Sequence, residues 1–258
     1  MVKFNLDRFL TMFLLQTVMG AMGLIMFLVF AFPSEASLPY AVVSGFLHTG
    51  YNLFLARSYK TGELGLVYPV ARGTAPLLTL GASTLFAHDS LSVFASVGIF
   101  VLVGGIWLIA ISPSLAAKVD RTTMMFALGT SVFIGLYTIV DGLGGRASGS
   151  ASGYTGLVFI LDALGMLVVG IYLRGFDIFK AVAPYWRSGI AGAAASGSAY
   201  WIVIYAMTIA PIASVAALRE TSILFAIAMS ARVLKEPLTW QRVGGGMLVV
   251  AGAMALRA

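Results

Sequence analysis

The residues with the clearest chemical potential in this 258-residue sequence are charged side chains inside long apolar stretches. Arg72 and Arg219 each lie eight residues into such a stretch, Glu220 follows directly, and Asp162 lies in another. Charged groups inside a bilayer are costly and usually face a partner or a water-filled cavity. Because guanidinium forks bind carboxylate-like anions in a bidentate way, Arg72 and Arg219 are candidates for holding a small anion. Asp162 and Glu220 are candidates for exchanging a proton, or alternatively for neutralising the arginines internally.

Neutral polar side chains recur at helical spacing near these charges. One stripe contains Ser44, His48, Tyr51 and Asn52, and further polar residues recur around Arg72 and around Tyr200. These stripes supply the candidates for lining a substrate site: His48, Tyr51, Asn52, Tyr68 and Tyr200. The alternatives stay open, because His48 is equally well explained as a hydrogen-bonded packing residue and Tyr68 as part of a proline kink.

The surrounding chain is too apolar for a water-facing globule. It is 60% hydrophobic and 10% charged, whereas about a quarter of a soluble domain is charged. A membrane-spanning helix needs roughly 20 mostly apolar residues, and we predict nine, at 9–32, 40–57, 64–87, 91–111, 122–140, 154–173, 185–207, 211–232 and 239–256. The longest connection, 141–153, is rich in Gly and Ser and is predicted to be a flexible linker. Asp89 lies in a short connection, where we expect a capping role.

Basic residues are distributed unevenly over alternate connections. Of the 16 Lys and Arg, 12 lie on one side of the predicted spans, two (Arg146 and Arg257) on the other, and two (Arg72 and Arg219) inside spans. Cytoplasmic connections carry the excess of basic residues. We therefore predict a multi-pass protein of the bacterial inner membrane that starts in the cytoplasm and ends in the periplasm.

Several classes of function lack the residues that they need. The sequence has no cysteine and two histidines, which argues against disulfides, thiol nucleophiles and His- or Cys-rich metal sites. It has no nucleotide-binding loop, no hydrolase motif and no basic patch interleaved with aromatics. We expect no catalytic residue, cofactor, metal or nucleic acid, and the expected partners are the lipid bilayer and a small-molecule substrate.

The two halves of the sequence are related. An offset of 147 aligns 58–111 with 205–258 without a gap and places Arg72 on Arg219, Gly98 on Gly245 and Gly105 on Gly252. We divide the chain into a first repeat, 1–111, with four spans and a second, 112–258, with five. Repeats with an odd number of helices insert in opposite orientations. The first repeat lacks its first helix, either because the native chain has an additional N-terminal helix, which we favour, or because this form lacks one.

Four glycines form the clearest small-residue pattern. Gly98 and Gly105, like Gly245 and Gly252, are seven residues apart and share a helix face. Small residues allow close helix packing in lipid. The glycines predict either a specific pairing of the last helices of the two repeats or generic lipid-phase packing, in a monomer or a weak homodimer.

Short motifs in two parts of the sequence resemble a known family. Residues 68–73 (YPVARG), 210–213 (APIA) and 234–239 (LKEPLT), with Gly244, Gly245 and Gly252, resemble the fourth, ninth and tenth helices of EamA-type proteins in the drug/metabolite transporter superfamily. The resemblance implies a ten-helix, two-repeat transporter that works by alternating access, with export favoured. Residues 48–52 (HTGYN) and 140–144 (VDGLG) also resemble a bacterial subgroup sometimes associated with phosphonate utilisation.

The predicted fold class is therefore an all-α polytopic membrane protein, an inverted-repeat bundle of nine transmembrane helices that follows a ten-helix pattern without its first helix. The predicted function is secondary transport of a small metabolite such as an amino acid, organic acid or phosphonate. A membrane-embedded enzyme and a non-transporting assembly or sensor protein are the alternatives. The first would need a catalytic motif, and the second would normally carry a partner domain outside the membrane.

Overall fold

The computed structural model describes residues 7–61, 64–110, 121–233 and 239–256. Side chains are described throughout these ranges except at 60, 61, 64–69, 110, 230 and 233. Helices and short turns make up these ranges, which contain no strand. In chain order the helices are α1 (Arg8–Val29), α2 (Leu38–Thr61), α3 (Leu64–Ala82), α4 (Val93–Ala110), α5 (Arg121–Ala147), α6 (Ala151–Arg174), α7 (Asp177–Val182), α8 (Trp186–Ile209), α9 (Ile212–Arg219), α10 (Ser222–Val233) and α11 (Trp240–Ala255).

Length and composition make several of these helices suited to a bilayer, since about 20 apolar residues span its hydrocarbon core. Five segments within the described ranges meet this criterion: Arg8–Val29, Arg121–Ala147, Ala151–Arg174, Asp177–Ile209 and Ile212–Met229. Val93–Ile109 is a shorter apolar helix. The architecture agrees with the predicted all-α membrane protein, while the number of nine spans stays a prediction.

The connection at 141–153 differs from the prediction. Helix α5 continues through these glycines to Ala147, and α6 begins at Ala151, so the predicted flexible linker is wrong. Only three residues join the helices; Gly149 adopts a positive φ of 65°, and the Ser150 hydroxyl accepts a hydrogen bond from the Gly153 amide at 3.2 Å. In apolar surroundings a helix satisfies its backbone polar groups, and this requirement outweighs the modest cost of helical glycine.

The chain forms two compact units. Unit 1 contains Met1–Lys60 and Val140–Ile209, and unit 2 contains Thr61–Ile139 and Ala210–Ala258. Each unit takes helices from both predicted repeats, so the compact units differ from the division into 1–111 and 112–258. The offset of 147 pairs α1 with α6 inside unit 1, and α4 with α11 inside unit 2.

Small residues let the paired helices of unit 2 approach closely. A Cβ placed on Gly98 would lie 2.8 Å from the Gly252 oxygen, and one on Gly252 would lie 2.5 Å from the Gly98 oxygen. Gly105 and Gly245 face each other in the same way, at 2.6 Å in both directions. The offset maps Gly98 onto Gly245 and Gly105 onto Gly252. The contact between Gly98 and Gly252 therefore corresponds to the contact between Gly245 and Gly105. Such reciprocal contacts are what a two-fold relation between two helices produces.

The first prediction tests this interface with two adjacent glycines of α4. A Cβ at Gly105 would lie 2.6 Å from the Gly245 oxygen, whereas one at Gly104 meets nothing within 4 Å. We expect Gly105→Ala to destabilise the protein by about 1–3 kcal/mol through overpacking. Gly104→Ala is the matched control and should leave stability unchanged or slightly higher. Thermal unfolding of the purified variants measures both, and equal shifts would contradict the close packing.

Candidate functional site

Two arginines of unit 2 meet at Glu220. Arg72, on α3, donates from its Nε to Oε2 of Glu220 at 2.8 Å and from its Nη2 to Oε1 at 2.9 Å, which is a bidentate ion pair. The Nε of Arg219 lies 3.3 Å from Oε1 of the same carboxylate. The side chain of Glu220 is 3% exposed and that of Arg72 is 21% exposed. The structure therefore brings Arg72 and Arg219 to one buried carboxylate.

Sequence spacing alone suggests that Glu220 points away from its neighbour Arg219, and this expectation is wrong. Regular helical geometry ends at Arg219, and Glu220 adopts φ −73° and ψ −13°. Neighbouring side chains diverge on a regular α-helix, but this turn lets both reach one point. The same spacing leaves Glu220 able to pair with Arg72 on another helix, and this expectation agrees with the observed ion pair.

A break interrupts the helix at this point. The amides of Glu220 and Thr221 donate to the carbonyls of Ala217 and Leu218 at 3.0 and 3.1 Å, three residues back instead of four. The break lies within the apolar segment Ile212–Met229, so the predicted continuous span at 211–232 consists of α9 and α10. Glu220 therefore lies at the point where the regular geometry of α9 ends.

The repeat supplies two arginines but only one carboxylate. The offset of 147 places Arg72 on Arg219 and Gly73 on Glu220, so the position equivalent to Glu220 carries no side chain. Two guanidinium groups and one carboxylate leave these three residues with one net positive charge. We call Arg72, Arg219 and Glu220 the arginine cluster.

Asp89 positions the start of the broken helix. Its Oδ2 accepts hydrogen bonds from the Ser83 hydroxyl at 2.7 Å and from the Ile212 amide at 2.8 Å. The first amides of a helix lack partners within the helix, so this carboxylate caps α9 from a distant loop. The expected capping role of Asp89 is confirmed.

The second prediction concerns this cap. Replacing Asp89 with alanine should destabilise the protein by about 1 kcal/mol, the usual cost of losing an N-terminal cap. Asp177 is a suitable control because its side chain is 84% exposed and pairs only one turn away with Lys180. Asp177→Ala should change the thermal midpoint much less. Equal midpoints for the two variants would argue against the cap.

Unit 1 contains a separate polar cluster around Asp141, which is fully buried. The hydroxyls of Tyr154 and Tyr200 donate to its Oδ1 and Oδ2 at 3.1 and 2.5 Å. Ser44 is a further hydrogen-bond partner of Asp141. The Nε2 of His48 lies 3.9 Å from Oδ2. Helices α2, α5, α6 and α8 each contribute at least one of these groups.

The orientation of His48 follows from its other nitrogen. Nδ1 lies 3.1 Å from the backbone oxygen of Ser44 and 3.1 Å from its hydroxyl oxygen. Either tautomer fits these contacts of Nδ1, because the Ser44 carbonyl can accept a hydrogen bond and the Ser44 hydroxyl can donate one. The other ring nitrogen, Nε2, faces the Asp141 carboxylate.

Asp162 lies on α6 and is 3% exposed. Its Oδ1 accepts from the Asn52 amide at 3.2 Å, and the Asn52 oxygen accepts from the Gln16 amide at 3.1 Å. The Gln16 Oε1 is buried and has no hydrogen-bond partner among the described residues. Asn52 lies one helical turn after His48, so Asp162 contacts the same face of α2 as His48. We call His48, Asp141 and Asp162 the carboxylate cluster.

The candidates from the sequence are thus distributed over both units. His48, Asn52, Asp162 and Tyr200 come together in unit 1, where Tyr51 is half-buried on the same helix as His48. The side chain of Tyr68 lies outside the described ones. The site candidates from the sequence do not include Asp141 or Tyr154, and Asp141 was assigned to the linker. The helical spacing of Tyr137, Thr138 and Asp141 marks them as polar residues at the end of a predicted span, but the prediction gave them no role in the site.

Comparison with known proteins agrees with the resemblance of the motifs. The model of the EamA-like transporter family matches residues 121–258, more than half of the chain. One solved structure, described only as a crystal structure of a protein, has a TM-score of 0.67 and 16% sequence identity, covering 98% of this chain and 88% of its own. That likeness shows the fold alone, and comparison with curated proteins gave no match. Since the family model covers half of the chain, this protein belongs to the EamA-like transporter family of the drug/metabolite transporter superfamily.

Proposed function

We propose that this protein is a secondary transporter that moves a small organic anion across the bacterial inner membrane by alternating access. An amino acid, an organic acid or a phosphonate has the required carboxylate-like group, and export is the favoured direction. The observation that carries this proposal is the arginine cluster at the break between α9 and α10. Discontinuous helices of this kind form substrate sites in secondary transporters.

Charge balance supports an anionic substrate. Arg72, Arg219 and Glu220 are buried or half-buried and together carry one net positive charge. Buried guanidinium groups in a low-dielectric environment favour anionic partners. A substrate carboxylate or phosphonate near Arg219 would be such a partner, and guanidinium groups are suited to that contact.

Glu220 supplies a means of linking binding to a change in shape. Its carboxylate contacts both arginines and so ties α3 to the helix break. A substrate anion that competes for these guanidinium groups would weaken that tie. A ligand can shift a conformational equilibrium only through contacts that differ between the two states, and competition with Glu220 provides such a difference.

We also propose nine membrane spans arranged as two inverted repeats. The reciprocal glycine contacts between α4 and α11 support this arrangement. In unit 1, Gly23 of α1 and Gly156 of α6 make a similar contact, with distances of 2.6 and 2.9 Å from a Cβ on each to the oxygen of the other. Because α1 and α6 also correspond under the offset, both units pair equivalent helices. We further propose that the protein is no enzyme and needs no cofactor.

The third prediction tests the orientation. The sequence has no cysteine, so single cysteines can be introduced at the exposed residues Glu35 and Asp177. In intact cells a membrane-impermeant maleimide should label the Glu35→Cys variant and should label the Asp177→Cys variant only after permeabilisation. Labelling of both variants in intact cells would contradict the orientation predicted from the basic residues.

The proposed function is tested by comparing metabolites outside cells with and without the gene. We expect one or more small organic anions to accumulate in the medium only when the protein is produced. Cells that produce the Arg219→Gln variant at the same level should resemble cells without the gene. Depletion of an anion from the medium would show uptake instead of export, and identical metabolite profiles in all three cultures would contradict the proposal.

A further inference from the structure

We infer that the carboxylate cluster of unit 1, formed by His48, Asp141 and Asp162, is a proton-binding site whose loading drives the proposed transport. The inference rests on the proposed function for the use of the proton, but the binding site stands on its own geometry. The arginine cluster of unit 2 takes no part in it.

The charge of the cluster favours a cation. Two ionised carboxylates and a neutral imidazole would carry two negative charges, and all three side chains are at least nine-tenths buried. The described groups that surround them are the neutral side chains of Gln16, Tyr40, Ser44, Asn52, Tyr154 and Tyr200. Arg146, five residues after Asp141 on α5, donates its Nε to the Met207 carbonyl at 2.9 Å. The described side chains around the two buried carboxylates are thus neutral. Such a site favours the binding of at least one cation.

The packing favours a proton over a larger cation. Asp141 is fully buried and accepts two phenolic hydroxyls, and Asp162 is 3% exposed. A proton needs no volume beyond that of the groups already present. A metal ion would need several ligands around one point, and the described residues contain no group of three or more His, Asp or Glu suited to hold one.

Hydrogen bonding assigns different roles to the two carboxylates. Asp141 accepts from Tyr154 and Tyr200, and such donors stabilise the ionised form. Asp162 has a single described donor, the Asn52 amide. Asn52 in turn accepts from Gln16, whose own oxygen is a buried acceptor without a described partner. Asp162 therefore has fewer described donors than Asp141, and a neutral carboxylic acid needs fewer donors than an ionised carboxylate.

The proposed step is a simple exchange. A proton entering from one side of the membrane forms an O–H bond at the Asp162 carboxylate, which becomes neutral. Release to the other side breaks that bond and restores the negative charge. His48 presents Nε2 to Asp141 and lies one helical turn before Asn52, the hydrogen-bond donor to Asp162, on α2. Asp141 stays ionised and holds the imidazole in place.

Infrared spectroscopy of the protein in lipid vesicles tests proton binding without a transported substrate. A protonated carboxylic acid has a carbonyl-stretch band that shifts in deuterated water and that an ionised carboxylate lacks. We expect a buried-acid band in the wild type at a pH where exposed Asp is ionised. Asp162→Asn should remove this band, Asp162→Glu should restore it, and the control Asp177→Asn should leave it unchanged. Thermal unfolding of each variant shows that it is folded.

Four results separate the alternatives. A band that survives in folded Asp162→Asn would overturn the assignment of the proton to Asp162. A band that NaCl, but not choline chloride, removes at constant pH would identify a metal-cation site and would also overturn the assignment.

In vesicles with a pH gradient, wild-type flux of an anion found in the metabolite comparison should follow the gradient, and flux in Asp162→Asn should not. Wild-type flux that ignores the gradient would contradict coupling, whereas an Asp162-dependent band without any flux would support the proton site and contradict only the proposed transport.

Discussion

Replacing Arg72 with glutamine is expected to destabilise the protein by about 3 kcal/mol, because it leaves the buried carboxylate of Glu220 without its bidentate partner. Removing one partner of a buried ion pair usually costs about 3–5 kcal/mol. We expect the low end of this range because Arg219 still lies near the same carboxylate. Thermal unfolding of the purified protein measures this loss. The reverse change, Glu220→Gln, should be milder because the half-buried Arg72 can reach water more easily.

The double variant Arg72→Gln/Glu220→Gln separates stability from function. Removing both charges leaves neither member of the bidentate pair without its partner, so most of the lost stability should return, apart from the contribution of the contact between Glu220 and Arg219. Transport should not return, because one of the two proposed anion-binding guanidinium groups is gone. Strictly additive losses of stability would show that the ion pair contributes no coupling energy. Full recovery of transport in the double variant would limit the pair to a structural role.

Replacing Arg219 with glutamine should have the opposite profile, with a large loss of transport and a small loss of stability. Glu220 keeps its bidentate pair with Arg72, so we expect a smaller loss of stability than in the Arg72→Gln variant. A hydrogen bond to a charged group contributes about 1.5–3 kcal/mol, which corresponds to a loss of roughly ten- to a hundredfold in apparent affinity for the anion. Initial rates of uptake into vesicles over a range of substrate concentrations measure it.

Arg187 provides the matched control for this substitution. It is exposed and lies over the ring of Trp186, with 5.4 Å between its guanidinium carbon and the ring centroid. Arg187→Gln removes the same charge from the chain without changing the arginine cluster, and transport should stay near the wild-type rate. If both variants lose transport equally, the effect reflects total charge and not a specific site.

Hydrophobicity predicted the positions of the helices because each apolar stretch must satisfy its backbone hydrogen bonds internally. Composition failed at 141–153, where glycines and serines suggested a linker although Asp141 lies in a helix and is fully buried. Local composition cannot show that three neighbouring helices supply donors to that carboxylate. The predicted site therefore omits Asp141, the residue around which the polar cluster of unit 1 is built.

The arginine cluster was predicted only in part. The positions of Arg72 and Arg219 followed from the offset of 147, and Glu220 was a foreseeable partner for Arg72. The break at Glu220 and Thr221 was not predictable, because neither residue is a glycine or proline that would mark an interruption. It accompanies the ion pair with Arg72, a long-range contact between residues separated by 148 positions. Contacts of this kind depend on the fold and not on local propensity.

The central claim is that the arginine cluster serves the transport of a small anion. The most direct measurement is counterflow in vesicles containing the purified protein, with a radiolabelled amino acid, dicarboxylate or alkylphosphonate outside and the same unlabelled compound inside. A radiolabelled primary amine serves as the comparison of opposite charge. We predict saturable wild-type counterflow of at least one anion and none of the amine, with the anion signal lost in Arg219→Gln and kept in Arg187→Gln. Counterflow of the amine alone, or anion counterflow at the wild-type rate in Arg219→Gln, would contradict the claim.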